Sequence, residues 1–206
     1  QPIQLDDVSN RSETINAELS VLLPRDTSRQ NFEQISDETD RMLQEIKSHL
    51  AKTPQALKSQ PNIRALEKLD AELLETQKHL QSLEKDLDKQ LDELSTSLER
   101  IDSIAAVWKA TDELAKTQTS AEATTITRIA AVRGEIDKAR TVITKRRNEL
   151  LSLRDKLVNP SVALSGSVVH IQSTVEARLE TIFRADHPPL WSPLIQESFR
   201  QEWQAV

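Results

Sequence analysis

Apolar residues recur at steps of seven along one stretch of this chain, from position 62 to about 116. Charged residues separate the members of the series, which are Leu66, Leu73, Leu80, Leu87, Leu94, Ile101 and Trp108. This pattern is typical of a long α-helix with a narrow coiled-coil seam. Neither Pro nor Gly interrupts residues 62–133. At 1.5 Å per residue the helix would span roughly 80 Å, which predicts an elongated molecule whose other helices pack along it.

A second apolar row runs beside the first and shifts by one residue part-way along. It comprises Leu69, Thr76 and Leu83, and then Leu91, Leu98 and Ala105. Because the stripe drifts around the helix, the long helix is expected to change its partner along its length. The sequence therefore favours an antiparallel bundle rather than a two-stranded zipper.

Composition supports an all-α fold. The 206 residues include two Gly, three Phe and no Tyr, whereas β-sandwiches need turn residues and aromatic strands.

The net charge of −6, with both signs interleaved, disfavours nucleic acid as a partner. The sequence contains no apolar run of 18 residues, so it predicts no transmembrane helix within residues 1–206. The absence of Cys excludes thiol chemistry and is compatible with an oxidising compartment. Because the first residue is Gln1, we expect that the natural N-terminus was removed, by a signal peptidase or by the choice of fragment.

Two shorter helices are expected before the long one. Asp6 or Asp7 is a candidate cap for the first helix, which Pro24 would stop. The second would begin at Asp26 or Thr27 and end before Pro54. Residues 53–61 would then be a linker, and Asn62 would cap the long helix. The apolar faces are Val8, Ile15, Leu19 and Leu22, with Ser12 filling a gap, and Phe32, Ile35, Met42, Leu43, Ile46 and Leu50.

Two more helices are expected after a turn at residues 117–120, where Ser120 is a candidate cap. Gly134, inside the fourth helix, would mark close approach of another helix. Residues 159–161 (Asn-Pro-Ser) would end this helix and start a fifth, which ends at residues 187–189 (His-Pro-Pro). The apolar seams are Ile129, Ile136, Ile143, Leu150 and Leu157, and then Leu164, Val168, Ile171, Val175, Leu179 and Ile182.

The predicted architecture is therefore an elongated antiparallel bundle of about five helices, one of them very long, over residues 1–186. Residues 187–206 would form a Pro- and Trp-containing linker and a short helix leading towards a membrane segment. The residues expected to lie near the membrane and to couple the bundle to it are Pro188, Pro189, Trp191, Phe199 and Trp203. The Trp residues suit a membrane-interface belt, and they equally suit a helix that packs back onto the bundle.

No group of residues in the sequence points to catalysis, a metal or a cofactor. The four His fall on different elements without metal-ligand spacing, and no Ser lies in a Gly-x-Ser-x-Gly elbow. The acidic residues between Glu84 and Glu93 alternate with Lys85 and Lys89, as on a solvated helix face. Two Gly cannot build a phosphate-binding loop. We therefore expect no enzyme activity and no small-molecule substrate.

Two further features have alternative interpretations. The basic run at residues 145–147 (Lys-Arg-Arg) suits an acidic partner or lipid headgroups, and it equally suits a solvated face paired with carboxylates on a neighbouring helix. Trp108 continues the Leu seam and is expected in the core or at a contact between helices.

Residues 153–164 (Leu-Arg-Asp-Lys-Leu-Val-Asn-Pro-Ser-Val-Ala-Leu) and 188–193 (Pro-Pro-Leu-Trp-Ser-Pro) carry a resemblance. They resemble the N-terminal extramembrane region of large bacterial mechanosensitive channels of the small-conductance (MscS) family. The resemblance covers mainly residues 120–193 and contains no catalytic motif. It implies a signal peptide upstream, a periplasmic location within an inner-membrane protein, and membrane helices after Val206.

The predicted function is that of a non-catalytic periplasmic domain of a mechanosensitive ion channel, contributing to assembly or to modulation of gating. The implied partners are the other subunits of a homo-oligomeric channel, with envelope components or lipid headgroups as further candidates. The alternative is a coiled-coil adaptor or scaffold domain that binds partner proteins.

Overall fold

The computed structural model describes residues 2–23, 26–58, 62–118 and 122–183, leaving aside the side chains of residues 26–31 and 181–183. A short 3₁₀ turn at Leu5–Asp7 leads into four α-helices in this part of the chain. They are α1 (Val8–Leu22), α2 (Asp26–Lys58), α3 (Ile63–Thr117) and α4 (Ala123–Phe183). The described residues contain no β-strand, so the predicted all-α helical bundle is confirmed.

The long helix α3 begins and ends within a residue or two of the predicted bounds. The Asn62 side chain caps it, since Oδ1 accepts a hydrogen bond from the backbone N–H of Ala65 at 2.8 Å. Six of the seven residues of the predicted seam are buried, and Leu94 is half-buried. The seam therefore faces the interior along the helix, as the repeat of seven indicates.

Two predicted helix ends are wrong, because both helices continue through a proline. Pro54 lies inside α2, and Pro160 lies inside α4, so the predicted fourth and fifth helices are one helix. A proline inside a helix removes one backbone hydrogen bond and costs about 3 kcal/mol. Leu164 and Ile171 continue the seven-residue series of α4 past Pro160, and both are fully buried. Burying side chains of this size contributes about 1.5–3 kcal/mol each, which offsets the cost.

The chain divides into two compact units. Unit 1 comprises Gln1–Glu45 and Lys78–Ser161, and unit 2 comprises Ile46–Gln77 and Val162–Val206. The helices α2, α3 and α4 each contribute residues to both units.

Unit 1 is an antiparallel helical bundle. The N-terminal segment and α1 run antiparallel to α3, because Ile3 contacts Thr111 whereas Glu18 contacts Arg100. Its core combines buried side chains of α1, α3 and α4: Val8, Leu19, Ile101, Ile104, Trp108, Ala115, Ile129, Val132, Ile136, Ala139 and Ile143. The predicted apolar face of α1 is confirmed, with Ser12 buried in its gap.

Unit 2 is built from the second part of α2, the first part of α3 and the last part of α4. Its buried apolar residues are Ile46, Leu66, Leu73, Leu164, Val168 and Ile171. Two buried threonines, Thr53 and Thr76, accompany them. Each donates its hydroxyl to the carbonyl four residues earlier, in His49 and Glu72, so the hydroxyl is satisfied within its own helix.

Three local predictions have different outcomes. The Asp7 carboxylate does not cap α1 but accepts a hydrogen bond from Arg11 Nε at 3.3 Å. Gly134 does not mark a close helix approach, because a Cβ placed there would meet nothing within 4 Å. The proposed cap Ser120 lies outside the described residues. Within the described residues, the Glu122 carbonyl accepts backbone hydrogen bonds from Thr125 and Ile126 at the start of α4.

Candidate functional site

The predicted coupling residues Pro188, Pro189, Trp191, Phe199 and Trp203 lie outside the described residues, and so does the whole segment 187–206. The features that follow are the polar and exposed clusters of the described residues.

A row of ion pairs joins α3 to α4 in unit 1. Asp88 pairs with Arg154 at 3.0 Å, and Asp102 pairs with Arg140 at 3.1 Å. Fourteen residues forward in α3 thus correspond to fourteen residues back in α4, which sets one antiparallel register. The arginines belong to a row at seven-residue steps, Arg133, Arg140, Arg147 and Arg154, that lies beside the apolar seam.

The row ends at a buried carboxylate. Asp112 has a side chain only 9% exposed, and its Oδ2 accepts from Lys116 Nζ at 2.8 Å and from Arg133 Nη1 at 2.5 Å. The hydrogen bond from Lys116 and the charges of both cations outweigh the effect of burial, so the pKa of Asp112 is lowered. The same hydrogen bond raises the pKa of Lys116. One carboxylate satisfied by two cations is a structural clamp and not a proton-transfer site at neutral pH.

The N-terminal segment is held against this end of unit 1. The backbone N–H of Ile3 donates to Thr111 Oγ1 at 2.9 Å, and the Arg128 guanidinium contacts Ser9 Oγ. A crevice of about 570 Å³ lies there, with Trp108 in its lining. Trp108 is fully buried, as predicted, and its indole N–H has no acceptor among the described residues. The indole nitrogen is also shielded from solvent, so it offers no contact to a ligand in the crevice.

One residue of the basic run 145–147, Arg146, packs against a neighbouring helix. The guanidinium of Arg146 lies 3.8 Å from the centroid of the Phe32 ring of α2, which is a cation–π contact. It also pairs with Glu149 of its own helix at 3.6 Å. Burial lowers the pKa of Arg146, and the charges of Glu149 and Glu33 oppose that effect. Arg146 thus fills an apolar-seam position between α2 and α4.

The acidic stretch of α3 does not form a cation site. Asp88 is committed to Arg154, and Lys89 lies 4.0 Å from Glu93 on the same helix. Within the described ranges, no three His, Asp or Glu side chains are grouped so that they could hold a metal ion.

An exposed apolar face of α4 in unit 2 was not predicted. Val162 and Val169 are 69% and 64% exposed. They lie seven residues apart and therefore on one side of the helix, with Gly166 between them. The sequence signal is an absence of charge: Asp, Glu, Lys and Arg are missing from residues 162–175.

None of the described helices contains a segment long and apolar enough to cross a bilayer. In comparisons with known proteins, no family model, no curated protein and no solved structure matches this chain.

Proposed function

We propose that this chain is a non-catalytic extramembrane domain of a mechanosensitive ion channel. It would lie in the periplasm as part of an inner-membrane protein and contribute to subunit assembly or to modulation of gating. The observation that carries the proposal is the resemblance of residues 153–164 and 188–193 to the extramembrane region of such channels. An all-α bundle, as seen in the described residues, is compatible with such a role.

The physical argument concerns transmission of displacement. An α-helix is axially stiff because each residue is tied to the residue four positions away. The consecutive prolines Pro188 and Pro189 have fixed φ angles, and they follow α4 after a few residues. A helix followed by a short stiff connector transmits displacement better than a Gly/Ser linker does. Trp191 and Trp203 would hold the connector at the headgroup layer.

The first test is the sequence that flanks this chain in its gene. A signal peptide before Gln1 and several apolar stretches of about 20 residues after Val206 support the channel. A polar continuation on both sides contradicts the proposal.

The functional test is patch-clamp recording of the intact protein with Pro188→Gly and Pro189→Gly together. The proposal predicts a shifted tension threshold with unchanged conductance per open pore. Ser192→Gly is the control, because it adds a glycine nearby without removing a proline. An unchanged threshold in the proline variant removes the coupling role, and a changed unit conductance places these residues at the ion path.

The second candidate is a coiled-coil adaptor that binds partner proteins. The exposed valines of α4 favour it, because solvent-facing positions of a helical bundle ordinarily carry charged residues. The flanking sequence separates the two candidates, because an adaptor needs no membrane segments.

A further inference from the structure

The helix α1 has little intrinsic tendency to form. Nine of its fifteen residues are Val, Ile, Ser, Thr or Asn, which favour a helix less than Ala, Leu, Glu or Lys do. No side chain caps its N-terminus, because the Asp7 carboxylate binds Arg11 instead. A helix of this length is marginal in water even with favourable residues. Hence α1 is helical because it packs on α3 and α4.

The packing of α1 relies on few buried side chains. Its buried apolar residues are Val8 and Leu19, and Ser12 takes a buried position between them. Two further apolar residues of α1 are half-buried. A stretch of α4 of the same length, residues 129–143, contributes five buried apolar residues to the same core: Ile129, Val132, Ile136, Ala139 and Ile143. Burial of apolar surface is the main favourable term in helix docking, so α1 is held more weakly than α4.

The polar contacts of α1 lie at its exposed edges. Arg100 Nε donates to Glu18 Oε1 at 2.7 Å, and the Arg100 side chain is 63% exposed. The contact between Arg128 and Ser9 is exposed as well. Such contacts contribute little, because water competes for both partners. In the sequence, Pro24 follows α1 and has no backbone N–H with which to continue its hydrogen bonds.

The docked position of α1 also leaves a buried donor unsatisfied. Trp108 packs in the same core as Val8 and Leu19, and its indole N–H has no acceptor among the described residues. The crevice beside Trp108 is lined by Ile15 of α1 and Ile104 of α3. Departure of α1 therefore admits water to this side of the indole. A hydrated donor is more stable than a buried unsatisfied one, and this favours opening.

We propose that residues 2–22 form a latch that leaves and rejoins unit 1 while α3 and α4 stay folded. Segments with few buried contacts open at a lower free energy than the whole fold does. Unit 1 then has two states, and the apolar surface around Ile104 and Trp108 is presented in the open state alone. The inference rests on unit 1 and does not depend on the proposed function.

The test uses single-cysteine variants, because the chain has no Cys of its own. Ser12→Cys places a thiol on the buried side of α1, and Thr39→Cys on the buried side of α2 is the matched control in unit 1. The two residues are 6% and 0% exposed, and each donates its hydroxyl to a carbonyl of its own helix. In dilute native protein, a maleimide should react with Ser12→Cys at least about tenfold faster than with Thr39→Cys, because position 12 needs opening of the latch alone.

A second substitution separates opening of the latch from unfolding of the unit. Leu19→Ala removes a buried side chain of α1 and should speed the reaction at position 12 at least about tenfold further. The reaction at position 39 should keep its rate. Val21→Ala is the control within α1, because Val21 is 69% exposed, and it should change either rate by less than about threefold.

Equal rates at positions 12 and 39 would overturn the proposal. So would an equal gain at both positions on Leu19→Ala, because α1 would then open only with the rest of unit 1. An unchanged rate at position 12 would also overturn it, since the thiol would react without opening. Hydrogen exchange of the unaltered chain is independent of how the variants fold. Backbone amides of residues 12–20 should exchange at least about tenfold faster than those of residues 129–143, and equal protection would contradict the latch.

Discussion

The two units bury the same kind of apolar seam but fix their helices with different polar contacts. In unit 1, aspartates of α3 pair with arginines of α4 at three levels, and Glu18 of α1 pairs with Arg100. Among the described residues of unit 2, a neutral hydrogen bond joins α3 to α4, from Gln77 Nε2 to Ser165 Oγ at 3.1 Å. The exposed residues of α4 between positions 162 and 173 are uncharged as well.

This comparison shows that burial of the apolar seam and the alignment of α3 with α4 depend on different interactions. A seven-residue repeat buries the same seam after a slip of seven residues, so the apolar residues alone do not select one alignment. In unit 1, charges disfavour such a slip in one direction. A slip that brought Arg147 to Asp102 would bring Arg140 to Lys109, and like charges repel. The hydrogen bond between Gln77 and Ser165 in unit 2 is neutral and therefore depends less on salt and pH.

The largest expected effect is loss of the shared apolar seam. Leu87→Asp should lower the free energy of unfolding by about 3 kcal/mol or more, because it buries an unpaired carboxylate in unit 1. Leu73→Asp should do the same in unit 2. Lys85→Asp is the control and should change stability by less than about 0.5 kcal/mol, since position 85 is exposed. Urea denaturation measures all three, and equal losses at positions 85 and 87 would contradict the assignment of the seam.

The next effect concerns the clamp at Asp112. Asp112→Asn should lower stability by about 1 kcal/mol at neutral pH, because Lys116 and Arg133 lose their shared carboxylate. Asp102→Asn is the control and should cost less, about 0.5 kcal/mol or below, since Asp102 and Arg140 are half-exposed.

The pH dependence of this effect has a definite sign. Folding lowers the pKa of Asp112, so its contribution is fully present above the ordinary aspartate pKa of 3.8. The contribution is lost as pH falls below that value through the folded-state pKa. The stability difference between the parent chain and Asp112→Asn should therefore shrink in acid. A difference that grows as pH falls would reverse the sign and refute the clamp.

Substitution of the two glycines should stabilise both units alike. Gly134→Ala in unit 1 and Gly166→Ala in unit 2 should each raise the free energy of unfolding by about 0.5–1 kcal/mol, because alanine favours the helix. A methyl group has open space at both positions. Thermal denaturation tests this, and a lower Tm for Gly134→Ala would restore the close helix approach expected from the sequence.

The smallest expected effect is that of salt. At 1 M salt the Debye length is about 3 Å, so each exposed ion pair of unit 1 should weaken by a few tenths of a kcal/mol. Hydrogen exchange of backbone amides near Asp102 should then quicken, while exchange near Gln77 should change less. A uniform change along α3 would remove the electrostatic difference between the units.

The sequence predicts the seams better than it predicts the helix ends. The repeat from Leu66 to Trp108 gave α3 within a residue or two, because burial and helix period agree there. Pro160 by itself predicts a break, although the series from Ile129 to Leu157 continues in phase to Leu164 and Ile171. A proline disfavours the helix only locally, and here burial of the seam residues on both sides of Pro160 outweighs its cost.

The candidate surfaces were harder to predict. The arginine row at seven-residue steps is visible in the sequence, but its partners depend on which helices become neighbours. The exposed face of α4 could have been found from its missing charges, whereas its exposure depends on packing within unit 2. The predicted coupling residues after position 186 stay a prediction.

The central claim is that α3 and α4 of unit 1 pack in one antiparallel register, in which position 102 lies beside position 140, and cross-linking of cysteine pairs tests it most directly. In the Cys-free chain, Asp102→Cys with Arg140→Cys should be bridged within one molecule by a short bis-maleimide. Asp102→Cys with Arg147→Cys, one seven-residue step away, should be bridged much more slowly. Mass spectrometry distinguishes the bridged product from two separate adducts. Faster bridging of the shifted pair would show that the helices align elsewhere and would contradict the account.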